Sequence, residues 1–256
     1  MSLKRRVTKP GASGPQAGAK PGPSKAPTRF ERVIAELERA YGRQKPPPFK
    51  NALEMILWEN VAYLADDERR LKAFRLLERE VGLEPAAILA APRDTLLEIA
   101  RAGIAPENSV EKLRRVARIA IEEFGGTLDA VPRLPLEKAR EALKMFPGIG
   151  DPGAGKILLF TRAHASPALE SNGLRVLLRL GFGRAEKSYA ASYRSVLQAL
   201  DGQHGRGCDG LIRAHLVLRR HGQQLCRRNA PLCDRCPVAL ECRYYQGGLG
   251  GAAPGG

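Results

Sequence analysis

Four of the five cysteines of this chain lie within 17 residues, and they restrict how that segment can fold. Cys226, Cys233, Cys236 and Cys242 follow the spacing C-x6-C-x2-C-x5-C. Four thiolates this close together can surround one metal centre, and all-sulfur ligation is typical of zinc or of an iron–sulfur cluster. Zinc ribbons usually pair two short C-x2-C segments, and only one is present here. The spacing therefore favours a cluster over zinc.

Two disulfides are the third way to use these cysteines. Nothing near Met1 resembles a signal peptide, and thiols in the cytosol stay reduced. We therefore expect a metal centre rather than disulfides, and a cytoplasmic protein, associated with the nucleoid if the source is bacterial.

Composition narrows the classes of partner. The chain has 256 residues, 43% of them hydrophobic, which is enough for one large domain or two lobes. Its formal net charge of +15 indicates a polyanionic partner, most often nucleic acid, with an anionic membrane surface as the lesser option. No run of 18 apolar residues is present, so the sequence predicts no membrane span.

Both ends of the chain differ in composition from the rest. Residues 1–28 hold six basic residues, no acidic one, and many prolines and glycines, so we expect a disordered basic tail. Such a tail adds non-specific DNA affinity or is simply solvated. Residues 247–256, GGLGGAAPGG, indicate a flexible end.

Between the tails, the apolar residues recur at helical spacing, and we expect an all-α fold. Thr28 and Glu31 form a capping-box pattern before the first apolar stripe. Further helices are predicted at 51–64, 66–81, 84–90, 93–101, 108–124 and 135–146.

The segment 136–160, LEKAREALKMFPGIGDPGAGKILLF, indicates two helices joined by a tight turn at Pro147, Gly148, Ile149 and Gly150. The second helix would begin with Asp151 as its N-cap and Pro152 at its first position. Uncovered backbone N–H groups at such a turn suit a phosphate of DNA, although an ordinary helix–helix turn also uses Gly and Pro.

The hairpin FPGIG-x3-A, followed by the four-cysteine pattern, resembles the endonuclease III-like branch of the helix–hairpin–helix DNA glycosylases. The likeness covers roughly residues 29–245. It implies two helical lobes with a DNA cleft between them: a six-helix barrel at 50–163, and a second lobe from 29–49 and 164–246. It also implies a [4Fe–4S] cluster in the loop 226–242, and enzymes that flip a damaged base and cut its N-glycosidic bond.

The chain departs from that family where the family's lyase members carry a nucleophilic lysine. The matching position is Pro152, which has no amine. Lys156 lies one turn later, roughly 6 Å along the helix axis, and we expect a DNA-facing or solvated lysine rather than a substitute nucleophile.

A second departure concerns the family's catalytic aspartate, which the ungapped match replaces with Glu170. A carboxylate there would stabilise positive charge on the sugar or activate water. The extra methylene of glutamate shifts that charge by about a bond length. An acidic residue that merely begins a helix would give the same sequence pattern as a catalytic one. Both interpretations stay open.

A third departure lies in Leu57–Val61, where family members tend to carry a glutamine that fills the gap left by the flipped base. Asn60 is the matching residue and would fill that gap less fully. Trp58 would stack on a base or, more commonly, lie in the core. Glu59 is a second candidate carboxylate in the cleft.

Taken together with this resemblance, the sequence predicts a monomeric base-excision repair protein. It would bind damaged or mismatched duplex DNA and act as a monofunctional glycosylase with weak or no lyase activity. In this hypothesis Glu170 is catalytic, and Pro147, Gly148, Ile149, Gly150, Asn60 and Lys156 contact DNA. The rival hypotheses are a non-catalytic reader of DNA lesions or DNA structure, a zinc-bound DNA-binding module and, least favoured, an electron carrier.

Overall fold

A computed structural model describes residues 26–205 and 207–247. The basic tail and the glycine-rich end lie almost wholly outside these residues. Within them the chain forms helices and no strand, so the all-α prediction is confirmed. No helix of the described chain is long and apolar enough to cross a membrane.

The first eight helices run from the N-terminal segment to the end of the hairpin: α1 (Arg29–Tyr41), α2 (Ala52–Asn60), α3 (Asp67–Glu80), α4 (Pro85–Ala90), α5 (Arg93–Ala100), α6 (Pro106–Phe124), α7 (Leu136–Lys144) and α8 (Asp151–Phe160). Four more follow: α9 (Ser171–Leu180), α10 (Tyr189–Leu200), α11 (Cys208–Gln224) and α12 (Arg243–Gln246). Short 3-10 turns at Val131–Arg133, Cys233–Arg235 and Ala239–Glu241 complete the elements.

The capping box predicted at the start of α1 is present. The Thr28 hydroxyl accepts from the backbone N–H of Glu31 (3.2 Å), and the Glu31 carboxylate accepts from the backbone N–H of Thr28 (2.9 Å). These bonds satisfy two donors at the helix start, so they fix where α1 begins.

Helix α2 is shorter than the sequence predicted, because another part of the chain packs against its end. It stops at Asn60, and the backbone carbonyl of Tyr63 accepts from the N–H of Ile104 in the turn between α5 and α6 (3.0 Å). Gly103 lies so close that a Cβ there would be 2.6 Å from the Tyr63 nitrogen. Sequence periodicity carries no information about such a long-range contact.

Two main apolar cores organise the helices. One joins side chains of α2 to α8, from Ala52 to Leu158. The other joins α1 with α9, α10, α11 and the cysteine loop. A small cluster of Leu159, Ala168, Leu211 and Ile212 lies between them. Helix α11 also reaches the first group directly, since the ring of His215 meets that of Phe160 edge-on (centroids 5.2 Å apart) and Arg219 pairs with Asp67.

Helices α9 and α11 pack so closely that a glycine is required at their contact. A Cβ on Gly222 would lie 2.7 Å from the Asn172 Cβ and 3.0 Å from the Asn172 carbonyl oxygen. The backbone of α9 forms part of this obstacle, so rotation of a side chain does not relieve it.

We therefore expect Gly222→Ala to destabilise the protein by about 1–3 kcal/mol, because the two helices must move apart. The matched control is Gly210→Ala in the same helix, where an added Cβ meets nothing within 4 Å. That variant should be neutral or slightly stabilising, since alanine has the higher helix propensity. Thermal unfolding monitored by circular dichroism measures both, and equal midpoints for the two variants would contradict this account.

Candidate functional site

The turn between α7 and α8 has the tight geometry expected for 147–150. Gly148 has a φ of +76°, which favours glycine, and a Cβ there would be 3.3 Å from Asn60 Oδ1. Ile149 is buried between the helices against Gly153, where a Cβ would lie 3.3 Å from the Ile149 Cγ2. Ala154 is fully buried. The Ile149 side chain therefore fills the space between the two helices, while Gly148 and Gly150 leave the backbone of the turn exposed.

The start of α8 differs from the prediction. Gly150 is the N-cap, Asp151 is already the first helical residue, and no side chain caps the helix. The Asp151 carboxylate instead accepts from Lys144 Nζ (3.0 Å), across the hairpin. Because no side chain accepts from the first N–H groups of α8, these donors point to an external acceptor such as a phosphate.

Asn60 holds the turn in place. Its side chain is buried, and its Nδ2 donates to the carbonyl oxygens of Ile56 (2.9 Å) and Pro147 (3.0 Å). The amide thus joins the end of α2 to the hairpin. A role of Asn60 in the gap left by a flipped base stays a prediction.

Glu170 is the N-cap of α9, and both of its carboxylate oxygens are engaged. Oε1 accepts from the backbone N–H of Gly173 (2.7 Å), and Oε2 accepts from Asn172 Nδ2 (2.8 Å). The helix-start interpretation therefore describes its contacts. The same contacts also hold a partly exposed carboxylate in one orientation, so its catalytic role stays a prediction.

Lys156 and Glu59 form an ion pair in the wall between the two cores. Lys156 Nζ lies 2.7 Å from Glu59 Oε1, and the side chains are only 18% and 22% exposed. Burial alone would raise the pKa of Glu59, but Lys156, Arg70 and Arg219 outweigh it, and the pKa is lowered. The expectation of a solvated lysine is therefore wrong, because Lys156 is largely buried and paired with Glu59, a partner that the sequence pattern does not reveal. DNA contact by Lys156 stays a prediction.

This ion pair lines a cavity of about 40 Å³ between the cores, together with aromatic side chains and His215. Burial and the nearby Lys156 lower the pKa of His215 to about 4, so its imidazole is neutral at pH 7. Trp58 forms part of the wall and is buried against Phe74. The inner cavity has room for a few waters rather than a base.

A larger cavity of about 370 Å³ adjoins the inner one and shares Trp58, Asp67 and Arg219 with it. Its remaining walls include Lys45, Arg75 and Arg220. The groove is therefore largely basic, and the aromatic side chain of Trp58 forms part of its lining.

Sequence reasoning missed an exposed apolar surface formed just after the end of α2 and in the turn between α5 and α6. Leu64 and Ile104 are 65% and 66% exposed, and Tyr63 is 43% exposed. Leu64 has a φ of +52°, which is unusual for a leucine. The backbone hydrogen bond from the Ile104 N–H to the Tyr63 carbonyl brings these two segments together, and helical periodicity does not predict it.

The four cysteines predicted as metal ligands line one cavity whose other walls are largely apolar. All five cysteines of the chain are free thiols in this structure, as a metal centre rather than disulfides would require. Burial and the three neighbouring cysteines raise the pKa of the Cys236 thiol to about 11, against a lowering by the Val238 N–H. Gathered thiolates repel one another, so this donor set fits a cationic metal centre.

Two side chains from helices contact these sulfurs. Arg179 Nη1 lies 3.4 Å from Cys226 Sγ and donates to the carbonyl of Arg227 (2.6 Å). His221 Nε2 lies 3.6 Å from Cys236 Sγ. No three His, Cys, Asp or Glu side chains in the described ranges converge on a single-ion geometry.

Comparisons with known proteins add relatives of similar length. No protein-family model matches the chain. It is 26% identical over 198 residues to an endonuclease III of Sulfolobus acidocaldarius, covering 77% of this chain and 83% of that protein. It is 26% identical over 228 residues to a thymine-DNA glycosylase of Aeropyrum pernix, covering 84% and 94%.

Solved structures share the fold. A trapped endonuclease III–DNA covalent intermediate matches with a TM-score of 0.68 at 20% identity, covering 86% of this chain and 97% of that one. A thermostable thymine-DNA glycosylase matches with a TM-score of 0.67 at 16% identity, covering 85% and 95%. The architecture described above is the endonuclease III fold.

The buried ion pair generates a prediction on stability. We expect Lys156→Met to destabilise the protein by roughly 2–3 kcal/mol, less than for a fully buried pair, because it leaves the Glu59 carboxylate without its partner. Lys72→Met is the matched control, since Lys72 pairs with Glu68 at 2.8 Å on an exposed surface and should leave the melting temperature unchanged.

The pH dependence checks the same pair. The folded-state pKa of Glu59 lies below the ordinary value of 4.5, so the stabilisation of the fold by the ionised Glu59 carboxylate is fully present above that pH. This stabilisation is lost as the pH falls through the folded-state pKa. The stability difference between wild type and Glu59→Gln should therefore shrink on acidification; a constant difference down to pH 3 would contradict the assignment.

Proposed function

We propose that this chain, which resembles the endonuclease III-like helix–hairpin–helix DNA glycosylases in sequence and in fold, is a DNA N-glycosylase of base-excision repair. The observation that carries this proposal is the uncapped start of α8 behind the Gly148–Gly150 turn, on a chain with a net charge of +15. A phosphate of duplex DNA is the acceptor that such donors and such a charge suit.

DNA binding would use three surfaces that lie around the cores. The hairpin amides would hold the backbone, and the exposed Leu64 and Ile104 would press apolar side chains against stacked bases. The basic groove beside Trp58 would take the displaced nucleotide. Damaged or mismatched duplex is the substrate class that this arrangement supports.

Glu170 is the carboxylate that we assign to the reaction. Its two hydrogen bonds, to the N–H of Gly173 and to Asn172, fix its orientation. As the bond between base and sugar breaks, the carboxylate would stabilise the positive charge on the sugar while a water adds to C1′ and the base leaves with the proton.

Lyase activity should be absent or weak. Pro152 has no amine at the position where lyases carry their lysine. The amine of Lys156 is held by the Glu59 carboxylate at 2.7 Å. An amine engaged in this ion pair is not free to attack the sugar, which supports weak or no lyase activity.

We propose that the cysteine cavity holds a [4Fe–4S] cluster. The supporting observations are four free thiols around one largely apolar cavity, their unequal sequence spacing, and the contacts of Arg179 and His221 with two of the sulfurs. Cys226, Cys233, Cys236 and Cys242 would be the ligands, and the cluster would fix the loop on α9.

A non-catalytic reader of DNA lesions is the second candidate, and a specific observation favours it. The inner cavity, lined by Trp58 and by the Glu59–Lys156 pair, measures only about 40 Å³, and both oxygens of Glu170 already accept hydrogen bonds, from the Gly173 N–H and from Asn172. A protein of this kind would bind a lesion without releasing the base.

The reaction is tested by single-turnover base release from duplexes that carry different lesions. Glu170→Gln keeps an oxygen that accepts from Gly173 but removes the charge, so base release should fall by roughly 100-fold while the fold is kept. Glu31→Gln, at the start of α1, is the matched control and should release base at the wild-type rate. Strand scission should require hot alkali, and borohydride should trap no covalent adduct.

Two results separate the candidates. Lesion binding without release of base from any duplex would support the reader and reject the glycosylase. Equal release by wild type and Glu170→Gln would keep the glycosylase and reject the role of Glu170.

The hairpin is tested by a variant that leaves the free protein undisturbed. Gly150 has a negative φ of −97°, and a Cβ there would meet only the Pro152 Cδ at 3.9 Å. Gly150→Ala should therefore fold as wild type, yet the methyl group would stand between the α8 amides and a phosphate. We expect a loss of DNA affinity of at least 10-fold by fluorescence anisotropy at fixed salt, and none for Gly210→Ala. Unchanged affinity in Gly150→Ala would exclude the hairpin as the phosphate site.

A further inference from the structure

A chain of side-chain contacts joins the end of α1 to the cysteine cavity. The Tyr41 hydroxyl lies 2.8 Å from His221 Nδ1, and His221 Nε2 lies 3.6 Å from Cys236 Sγ. The imidazole is only 1% exposed, so it is shielded from bulk water. One ring nitrogen of His221 therefore contacts the Tyr41 hydroxyl, and the other contacts the Cys236 sulfur.

Hydrogen-bond chemistry fixes the direction of this chain once a metal centre is bound. A neutral imidazole carries one N–H and one acceptor nitrogen. A cysteine that ligates a metal is a thiolate and has no proton to donate. Nε2 of His221 must then carry the hydrogen, so Nδ1 accepts from the hydroxyl of Tyr41.

We propose that Tyr41 is a positioning residue for the iron–sulfur centre, which holds His221 in the tautomer that donates an N–H to Cys236. This inference rests on the proposed cluster. It adds Tyr41 and His221, residues of α1 and α11, to the groups that set the properties of the cluster.

The physical effect of the bond has a definite sign. An N–H group that points at a ligating sulfur stabilises the extra negative charge of the more reduced cluster, so it raises the reduction potential. Without the Tyr41 hydroxyl, Nδ1 loses its only donor in this chain of contacts and the other tautomer becomes populated. The bond to Cys236 is then weakened or lost.

The chain offers a matched control in the same cavity. Tyr244 also lines it, and Arg179 lies over its ring at 4.7 Å. Tyr244→Phe keeps this aromatic face and leaves Tyr41, His221 and Cys236 untouched. Tyr41→Phe makes the same chemical change as Tyr244→Phe, since each removes one phenolic oxygen.

The test uses full-length wild type, Tyr41→Phe and Tyr244→Phe, first assayed for iron, sulfide and visible absorption. Protein-film voltammetry then gives the reduction potential, and the loss of visible absorption in air gives the rate of cluster breakdown. We expect a more negative potential and several-fold faster breakdown for Tyr41→Phe, with Tyr244→Phe equal to wild type.

Each other result has one meaning. Wild type without iron and sulfide would overturn both the proposed cluster and this inference, whereas base release would still test the glycosylase. A loaded Tyr41→Phe with wild-type potential and breakdown rate would overturn the inference alone. Nitrogen-15 NMR of the His221 side chain in loaded wild type provides a measurement that needs no variant, and an N–H on Nδ1 would also overturn it.

Discussion

The close contact of α11 with α9 is the constraint on which both candidate sites depend. At Gly222 the two helices approach to a distance that excludes a methyl group. Along the same helix, His215 Nδ1 donates to the carbonyl of Ala168 (2.7 Å), just before Glu170, and His221 reaches Cys236. One helix thus sets the position of the α9 start at one end and of the cysteine loop at the other. A shift of α11 would displace both.

Burying charged side chains between the two cores costs free energy on folding, so their presence there needs an explanation. Glu59 and Lys156 are largely shielded from water, and Arg219 pairs with Asp67 from across the interface. Burial opposes the ionised form of the Asp67 carboxyl, but the hydrogen bond and charge of Arg219 lower its pKa. Apolar residues of similar volume would often be as stable, so stability alone is a weak reason for such pairs. Glu59 and Lys156 line the inner cavity, and Asp67 and Arg219 line both that cavity and the basic groove, so both pairs lie beside the groove that we propose for the displaced nucleotide.

The features that the sequence predicted are those encoded over short distances. The Thr28 capping box, the turn at 147–150 and the cysteine pattern each lie within a few residues, and local rules describe them. The N-cap at Gly150 was missed because Asp151 has a partner seven residues away, Lys144, that competes for its carboxylate. The Glu59–Lys156 pair and the Tyr63–Ile104 contact join residues far apart in the chain, and no periodicity encodes them.

Glu170 shows why capping and catalysis are compatible rather than exclusive. Its Asn172 partner also accepts from Arg175 Nη2 (2.7 Å), and Arg175 Nε donates to the carbonyl of Cys226 (3.0 Å). The carboxylate is therefore held by a network that ends at Cys226, the first cysteine of the four-cysteine loop. A catalytic carboxylate must be held in orientation, and hydrogen bonds from a helix start and a neighbouring amide do this while leaving its charge intact. The extra methylene of a glutamate moves that charge, but the hydrogen-bond network determines the final position of the carboxylate.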